Sequence, residues 1–180
     1  MRSLKLAALL ALLALGAACG KGGPPPAEQR SPLFTGQEPK RSIQLTLPSS
    51  QKPGFVALKR EIYATASLVN QGKQILQALQ AGPAADGSES GSVACFGPGA
   101  AFNELYLDGK GLAVVDLPAA TVAGLPGGTS AEVATLFCLV KTLSSNLPGV
   151  LRVQVLIDGA EAESLLGHVD LLDPLSLSDF

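Results

Sequence analysis

Apolar and polar residues alternate from Ser42 onward, with Ile43, Leu45 and Leu47 set between Gln44 and Thr46. That period-two pattern predicts a half-buried strand ending at Pro48. Residues 48–54 (P-S-S-Q-K-P-G) are turn material. A second strand is predicted at Phe55–Tyr63, with Val56, Leu58 and Ile62 on one face and Lys59 and Glu61 on the other. Arg60 shares the apolar parity, so it sits near the strand end or turns outward along its own stem. The period then changes to that of a helix. Leu68, Val69, Ile75, Leu76 and Leu79 share an arc with Gly72, and Asn70, Lys73, Gln74, Gln77 and Gln80 lie opposite. Thr65 or Ser67 can cap the start, and Gly82-Pro83 stops the helix. Gly72 lowers helix propensity but lets the helix approach a sheet closely.

Residues 84–101 are rich in Gly, Ser and Ala and read as a loop. Phe102–Leu107 and Leu112–Leu117 flank Asp108-Gly109, a strong hairpin signal. One helical turn at Ala119–Ala123 interrupts an irregular connection. The clearest stretch is Gly127–Gly159. Thr129-Ser130-Ala131-Glu132 fits a capping box, in which Glu132 reaches back to the helix start. Val133, Leu136, Phe137, Val140, Leu143 and Ser144 form one arc, while Thr135, Cys138, Lys141, Thr142 and Ser145 face away. A strand with Leu151, Val153, Val155 and Ile157 on one face follows, and Asp158-Gly159 turns it. The order β-β-α-β-β-α-β predicts a two-layer α+β domain with two helices on one face of a sheet.

The first 41 residues have a different character. Arg2 and Lys5 precede the apolar run Leu6–Leu15, and Gly16-Ala17-Ala18 leads to Cys19. This is a secretory signal whose apolar run is shorter than the ~20 residues a spanning helix needs. Leu15-Gly16-Ala17-Ala18-Cys19 resembles a bacterial lipobox, which makes Cys19 the expected lipidation site and residues 1–18 the cleaved signal. Residues 19–41 (with G-G-P-P-P and few bulky apolar residues) form the expected tether, and residues 42–180 the domain. Gly20 after the lipidated cysteine is consistent with sorting to the outer membrane of a cell that has two.

Of 180 residues, 47% are apolar, 16% charged and 4% aromatic, with 13 basic and 15 acidic residues. Cleavage removes Arg2 and Lys5, leaving 11 basic against 15 acidic residues, a net charge of −4. That balance offers no footprint for nucleic acid. Membrane attachment is expected to come from lipid.

Candidate chemistry is sparse. His168, the single histidine, is expected as a hydrogen-bonded or solvated turn residue without catalytic partners. Ser49-Ser50-Gln51-Lys52 satisfies S-x-x-K, but its companion motifs are missing. Asp108, Asp116, Asp158, Asp170 and Asp173 fall at turns, where aspartate is common, and form no calcium-loop pattern. No catalytic residue, metal ligand or cofactor site is therefore expected, and the chain does not read as an enzyme. With Cys19 lipidated, Cys95 and Cys138 remain as an even pair in an oxidising compartment. With Cys138 on the outer side of its helix, a disulfide between them is expected.

The pieces L-K-R-E-I, L-Q-A-L-Q-A-G-P, L-D-G-K-G-L-A-V-V-D-L, S-A-E-V-A-T-L-F-C-L-V-K-T-L, V-L-R-V-Q-V-L-I-D-G and L-L-G-H-V-D-L-L-D-P-L occur in an order that resembles the GerMN domain family. The family takes its name from a spore germination and sporulation lipoprotein. The resemblance implies an extracytoplasmic α/β module with no catalytic residues, found alone, duplicated or joined to cell-wall amidase domains. Its fold is similar to the ring-building motifs of secretion-type complexes. The expected function is a lipid-anchored protein-interaction module in an envelope or cell-wall-associated assembly, with an envelope protein as partner. The alternative is a small-ligand or glycan-binding lipoprotein that uses loops 84–101 and 118–128 as a pocket rim.

Overall fold

The computed structural model describes residues 39–180. The signal sequence, Cys19 and most of the tether lie outside the described residues. The first two strands, β1 (Lys40–Pro48) and β2 (Phe55–Tyr63), pair antiparallel over their whole length. They form a two-stranded sheet of their own. Helix α1 (Leu68–Ala81) follows, capped by the Ser67 side chain, which accepts from Asn70 N–H. Strands β3 (Glu104–Leu107) and β4 (Leu112–Leu117) make the second hairpin. A short helix α2 (Ala119–Ala123) and the long helix α3 (Thr129–Asn146) then cross to β5 (Arg152–Ile157), which pairs parallel with β4. Two-residue strands β6 (Ala160–Glu161) and β7 (Leu175–Ser176) complete the second sheet on the far side of β5.

The fold is α+β as expected, with two differences of detail: the strands divide into two sheets, and α3 is not a one-faced helix. Glu132, Thr135, Leu136, Cys138, Leu139, Val140, Thr142, Leu143 and Asn146 are all buried. The helix is enclosed because it packs against both β1 and β5. Thr135, Cys138 and Thr142, expected to face away, point instead into protein. A helix covered on several sides has no wide polar stripe for a periodicity argument to find.

Gly72 does what its position suggested. A Cβ there would lie 2.3 Å from Leu105 Cδ2 of β3 and 3.2 Å from Leu147 Cδ1. The bare backbone is what lets α1 close against the second sheet. Arg60 neither snorkels nor ends the strand. Its guanidinium turns under the hairpin to pair with Glu89 and also donates to the Gly82 carbonyl at 3.2 Å. The bond to Glu89 raises the Arg60 pKa and lowers that of Glu89.

Candidate interaction surface and the polar spine behind it

The polar residues of α3 form a spine, each tied to backbone far away in sequence. Asn146 treats β1 as a neighbouring strand would. Gln44 N–H donates to its Oδ1 at 2.8 Å, and its Nδ2 donates to the Gln44 carbonyl at 2.7 Å. One turn earlier, Thr46 N–H donates to Thr142 Oγ1 at 3.1 Å. Near the helix start, Thr135 Oγ1 donates to the Cys95 carbonyl at 3.0 Å.

Glu132 overturns the expected capping box. Gly128 is the cap residue and no side chain caps the helix. The Glu132 carboxylate, fully buried, points instead at the loop after β6. Leu165, Leu166 and Val169 N–H donate to Oε1 at 3.2, 3.0 and 3.2 Å. His168 N–H and its ring Nδ1 lie 3.1 and 2.9 Å from Oε2. Burial alone would push the carboxyl pKa up. The donors, led by Leu166 N–H and the His168 ring, overcome it and hold the group below the usual carboxylate range. Thr129 is thereby released from the expected role, because its partner is spent elsewhere.

His168 therefore has a carboxylate partner, which the sequence reading did not foresee. Its side chain stays 40% exposed. Among the described residues no hydroxyl or thiol is hydrogen-bonded to the ring, and the carboxylate is saturated by backbone donors, so the pair works as a clamp on residues 165–169. The S-x-x-K serine accepts from Gln51 and Lys52 N–H as a turn. Asp108 accepts from Lys110 and Leu112 N–H, Asp116 from Gly159, Asp158 from Ala119 and Asp170 from Leu172. Among the described residues no three acidic, His or Cys side chains gather as metal ligands would.

Cys95 and Cys138 are both buried, at 3% and 0% exposure. Cys138 on the outer side of its helix is thus a mistaken expectation, since the open side of α3 at that turn carries Phe137 and Lys141 instead. The structure holds the two as free thiols. They lie side by side: a hydrogen bond to Cys95, then burial, pushes the Cys138 thiol far up. Cys95 Sγ also lies 3.6 Å from the Thr46 carbonyl.

Among the described residues, three of the shallow surface hollows bear on the site. One of about 270 Å³ sits between α1 and β3, lined by Lys73, Gln77, Phe102, Asn103 and Glu104 among others. Of the loops expected to rim a pocket, only Ala101 reaches any of the three. Another, of about 370 Å³, lies where the outer face of the first hairpin meets α3, between Thr46, Phe55, Ala57, Phe137 and Lys141. There Phe55 and Phe137 stack with ring centres 4.3 Å apart, and Phe180 meets Phe137 edge-on at 5.5 Å. Phe55 and Phe180 remain 40% exposed and Leu177 38%. This aromatic patch escaped the periodicity reading because its members come from β2, α3 and the C-terminus.

The family model described as "Sporulation and spore germination" (Germane) matches residues 44–163. The chain belongs to that family. Its fold agrees with the first GerMN domain of the sporulation protein GerM from Bacillus subtilis, at 20% identity and a TM-score of 0.63, over 77% of this chain and 99% of that one. The tandem GerMN domains of GerM align at 21% identity and a TM-score of 0.64, over 78% of this chain, which spans about half (48%) of the tandem. A presumed lipoprotein from Clostridium perfringens, known from a 2.5 Å crystal structure, aligns at 20% identity and a TM-score of 0.53, over 78% and 89% of the two chains. No curated protein matches the chain.

Within this sporulation and germination family member, the matched region includes Glu132 but stops before the backbone it clamps. The loop 165–169 and Phe180 lie beyond residue 163. The clamp thus joins the matched region to a C-terminal segment that supplies one member of the aromatic patch.

Proposed function

We propose that this chain is a lipid-anchored, non-enzymatic interaction module of the bacterial cell envelope, which contributes a protein contact to an envelope or cell-wall-associated assembly in sporulation or germination. The observation that carries the reading is the aromatic patch. Aromatic side chains supply much of the energy of protein contacts, and three half-covered rings on one surface are a larger apolar feature than scattered single residues. The lipobox-like Leu15–Cys19 supports anchoring through Cys19, to the outer membrane where the cell has two. The presumed lipoprotein with the same fold is in keeping with that. Among the described residues no helix is long and apolar enough to cross a membrane.

A photo-reactive residue at Lys141, beside the patch, tests the contact in intact cells. A discrete adduct with an envelope protein, diminished by Phe55→Ala, is expected; no protein adduct would count decisively against the reading. Cys19→Ala should release the domain from membranes or stall the precursor, and full retention by the membrane would refute the anchor. The hollow lined by Lys73, Phe102, Asn103 and Glu104 supports the second reading, a small-ligand or glycan binder. Its mixture of amides, one ion pair and one ring suits a polar ligand.

A further inference from the structure

The second strand of the first hairpin leaves one backbone edge open. The register of the hairpin says which residues own that edge. Ala64 N–H donates to the Pro39 carbonyl and Ser49 N–H to the Gly54 carbonyl. With Lys40 opposite Tyr63, the even-numbered residues of β1 and the odd-numbered residues of β2 therefore point their N–H and C=O groups away from the partner strand. On β2 these are Phe55 at the turn end, then Ala57, Lys59 and Glu61, and last Tyr63. Tyr63 is closed: its N–H donates to Gln74 Oε1 at 2.8 Å and its carbonyl accepts from Gln74 Nε2 at 3.1 Å. At Lys59 the carbonyl accepts from the neighbouring Arg60 Nη1 at 3.1 Å. Among the described residues no backbone group pairs with Ala57, Lys59 or Glu61 on this side. All three are exposed, and a hollow of about 280 Å³ lined by Glu61, Tyr63, Gln74 and Gln77 keeps the neighbouring space open.

We propose that two copies of this chain associate through this edge, their β2 strands adding antiparallel about a two-fold axis at Arg60 to form one four-stranded sheet. A symmetric pair must bring the same strand to itself in antiparallel sense. Only registers that face odd residue to odd residue can form the ladder. Centred on Lys59, the register sets Lys59 opposite its own copy. Centred on Glu61, it sets two carboxylates opposite each other and calls on Tyr63, which Gln74 already occupies. Centred on Arg60, it sets Lys59 opposite Glu61 of the partner subunit twice over, and the ladder stops where Gln74 begins. Opposite charges directly across a strand pair favour the register, and like charges disfavour it. Arg60 meets its own copy at the axis on the buried side, where Glu89 neutralises each guanidinium. A contact of so few residues a side makes a weak dimer.

The test is a charge swap on the full-length protein in detergent micelles, read by sedimentation over a concentration series. Lys59→Glu and Glu61→Lys should each raise the dimer Kd at least tenfold, and the double swap should return it to within about threefold of the native value. Far-UV circular dichroism identifies any variant that has not folded. Rescue by the double swap separates charge register from simple damage. A native chain that stays monomeric at millimolar concentration overturns the proposal, as do single swaps that dimerise unchanged. So does a monomeric native chain whose single swaps both lose one other protein in cells, because the occupant is then that protein's strand. The Lys141 cross-link reads capture of a different protein at the Phe55 end of the hairpin, whereas sedimentation of the purified chain reads self-association, so its failure and the failure of this dimer are distinguishable.

Discussion

Along β1, every outward backbone group from Gln44 to Pro48 has a partner. Asn146 takes both groups of Gln44, Thr142 takes Thr46 N–H, Cys95 Sγ lies on the Thr46 carbonyl, and Val93 N–H donates to the Pro48 carbonyl. Along β2, the corresponding groups of Ala57 and Glu61 face no other backbone among the described residues. Both strands belong to one hairpin with one register, so strand propensity does not distinguish them. The difference comes from α3, which stands where a third strand would stand and offers side-chain amide and hydroxyl groups in place of a ladder. Buried backbone must be paired, whereas exposed backbone can rest on water. One edge is therefore a stability feature and the other an association feature, and substitutions should separate them.

The largest effect is expected at the helix that closes β1. Glu132→Ala strips five donors of their acceptor and should cost about 4 kcal/mol in chemical denaturation, at the upper end for one substitution. Its pH dependence has a definite sign. The folded-state pKa lies below the ordinary value, so the stabilisation is complete above the unfolded-state value of about 4.3 and is lost as pH falls through the lower folded value. Glu132→Gln should remove much of the acid sensitivity below about pH 4.3. An unchanged slope in that window would show that the carboxylate is protonated in the fold.

Next comes the closure of β1 itself. Asn146→Ala leaves Gln44 N–H and C=O without their partners and should cost about 2–3 kcal/mol. Gln74→Ala, which opens the Tyr63 end of β2 where water can replace it, should cost under about 1 kcal/mol. Equal costs would mean that the two edges are buried alike. The cysteine pair belongs to the closed side as well. Oxidation of Cys95 and Cys138 by a disulfide of the thiol–disulfide exchange class would join the loop 82–103 to α3 and is expected to add about 4 kcal/mol by the loop-entropy estimate. Thiol labelling of unreduced, denatured protein checks it: no reactive thiol at these positions is expected, and two would remove the staple.

The contrast also sorts what was legible in the sequence from what was not. Elements whose residues answer to a local pattern were read closely: β2 at Phe55–Tyr63, β4 at Leu112–Leu117 and the single turn at Ala119–Ala123 fall where alternation and turn residues placed them. The close approach at Gly72 was legible too, because a glycine on an apolar arc has one obvious use. The faces of α3 were not. Thr135, Cys138 and Thr142 look solvent-facing by period, and their burial depends on strands and loops distant in sequence. Glu132 shows the same conflict within four letters. The pattern T-S-A-E satisfies a capping box, but backbone donors 33 to 37 residues away win the carboxylate. A polar residue on an enclosed helix was the available signal, and it needed the knowledge that the helix was enclosed. The anchor at Cys19 and the tether lie outside the described residues.

The smallest effect is also the most direct measure of the open edge. Proline lacks the N–H that a ladder needs, yet is tolerated where that N–H faces solvent. Ala57→Pro should therefore cost no more than about 1 kcal/mol, whereas Leu58→Pro, whose N–H points toward Leu45 of β1, should cost about 3 kcal/mol or more. Amide exchange gives the same distinction without mutation. Gln44 and Thr46 should exchange slowly and Ala57, Lys59 and Glu61 quickly in dilute protein, with Lys59 and Glu61 alone slowing as concentration rises. Ala57 lies outside the ladder because its opposite number would be Tyr63 of the partner subunit, already held by Gln74. Protection that spreads to Ala57 would shift the register, and protection of all three at every dilution would mean that the edge is covered within a single chain.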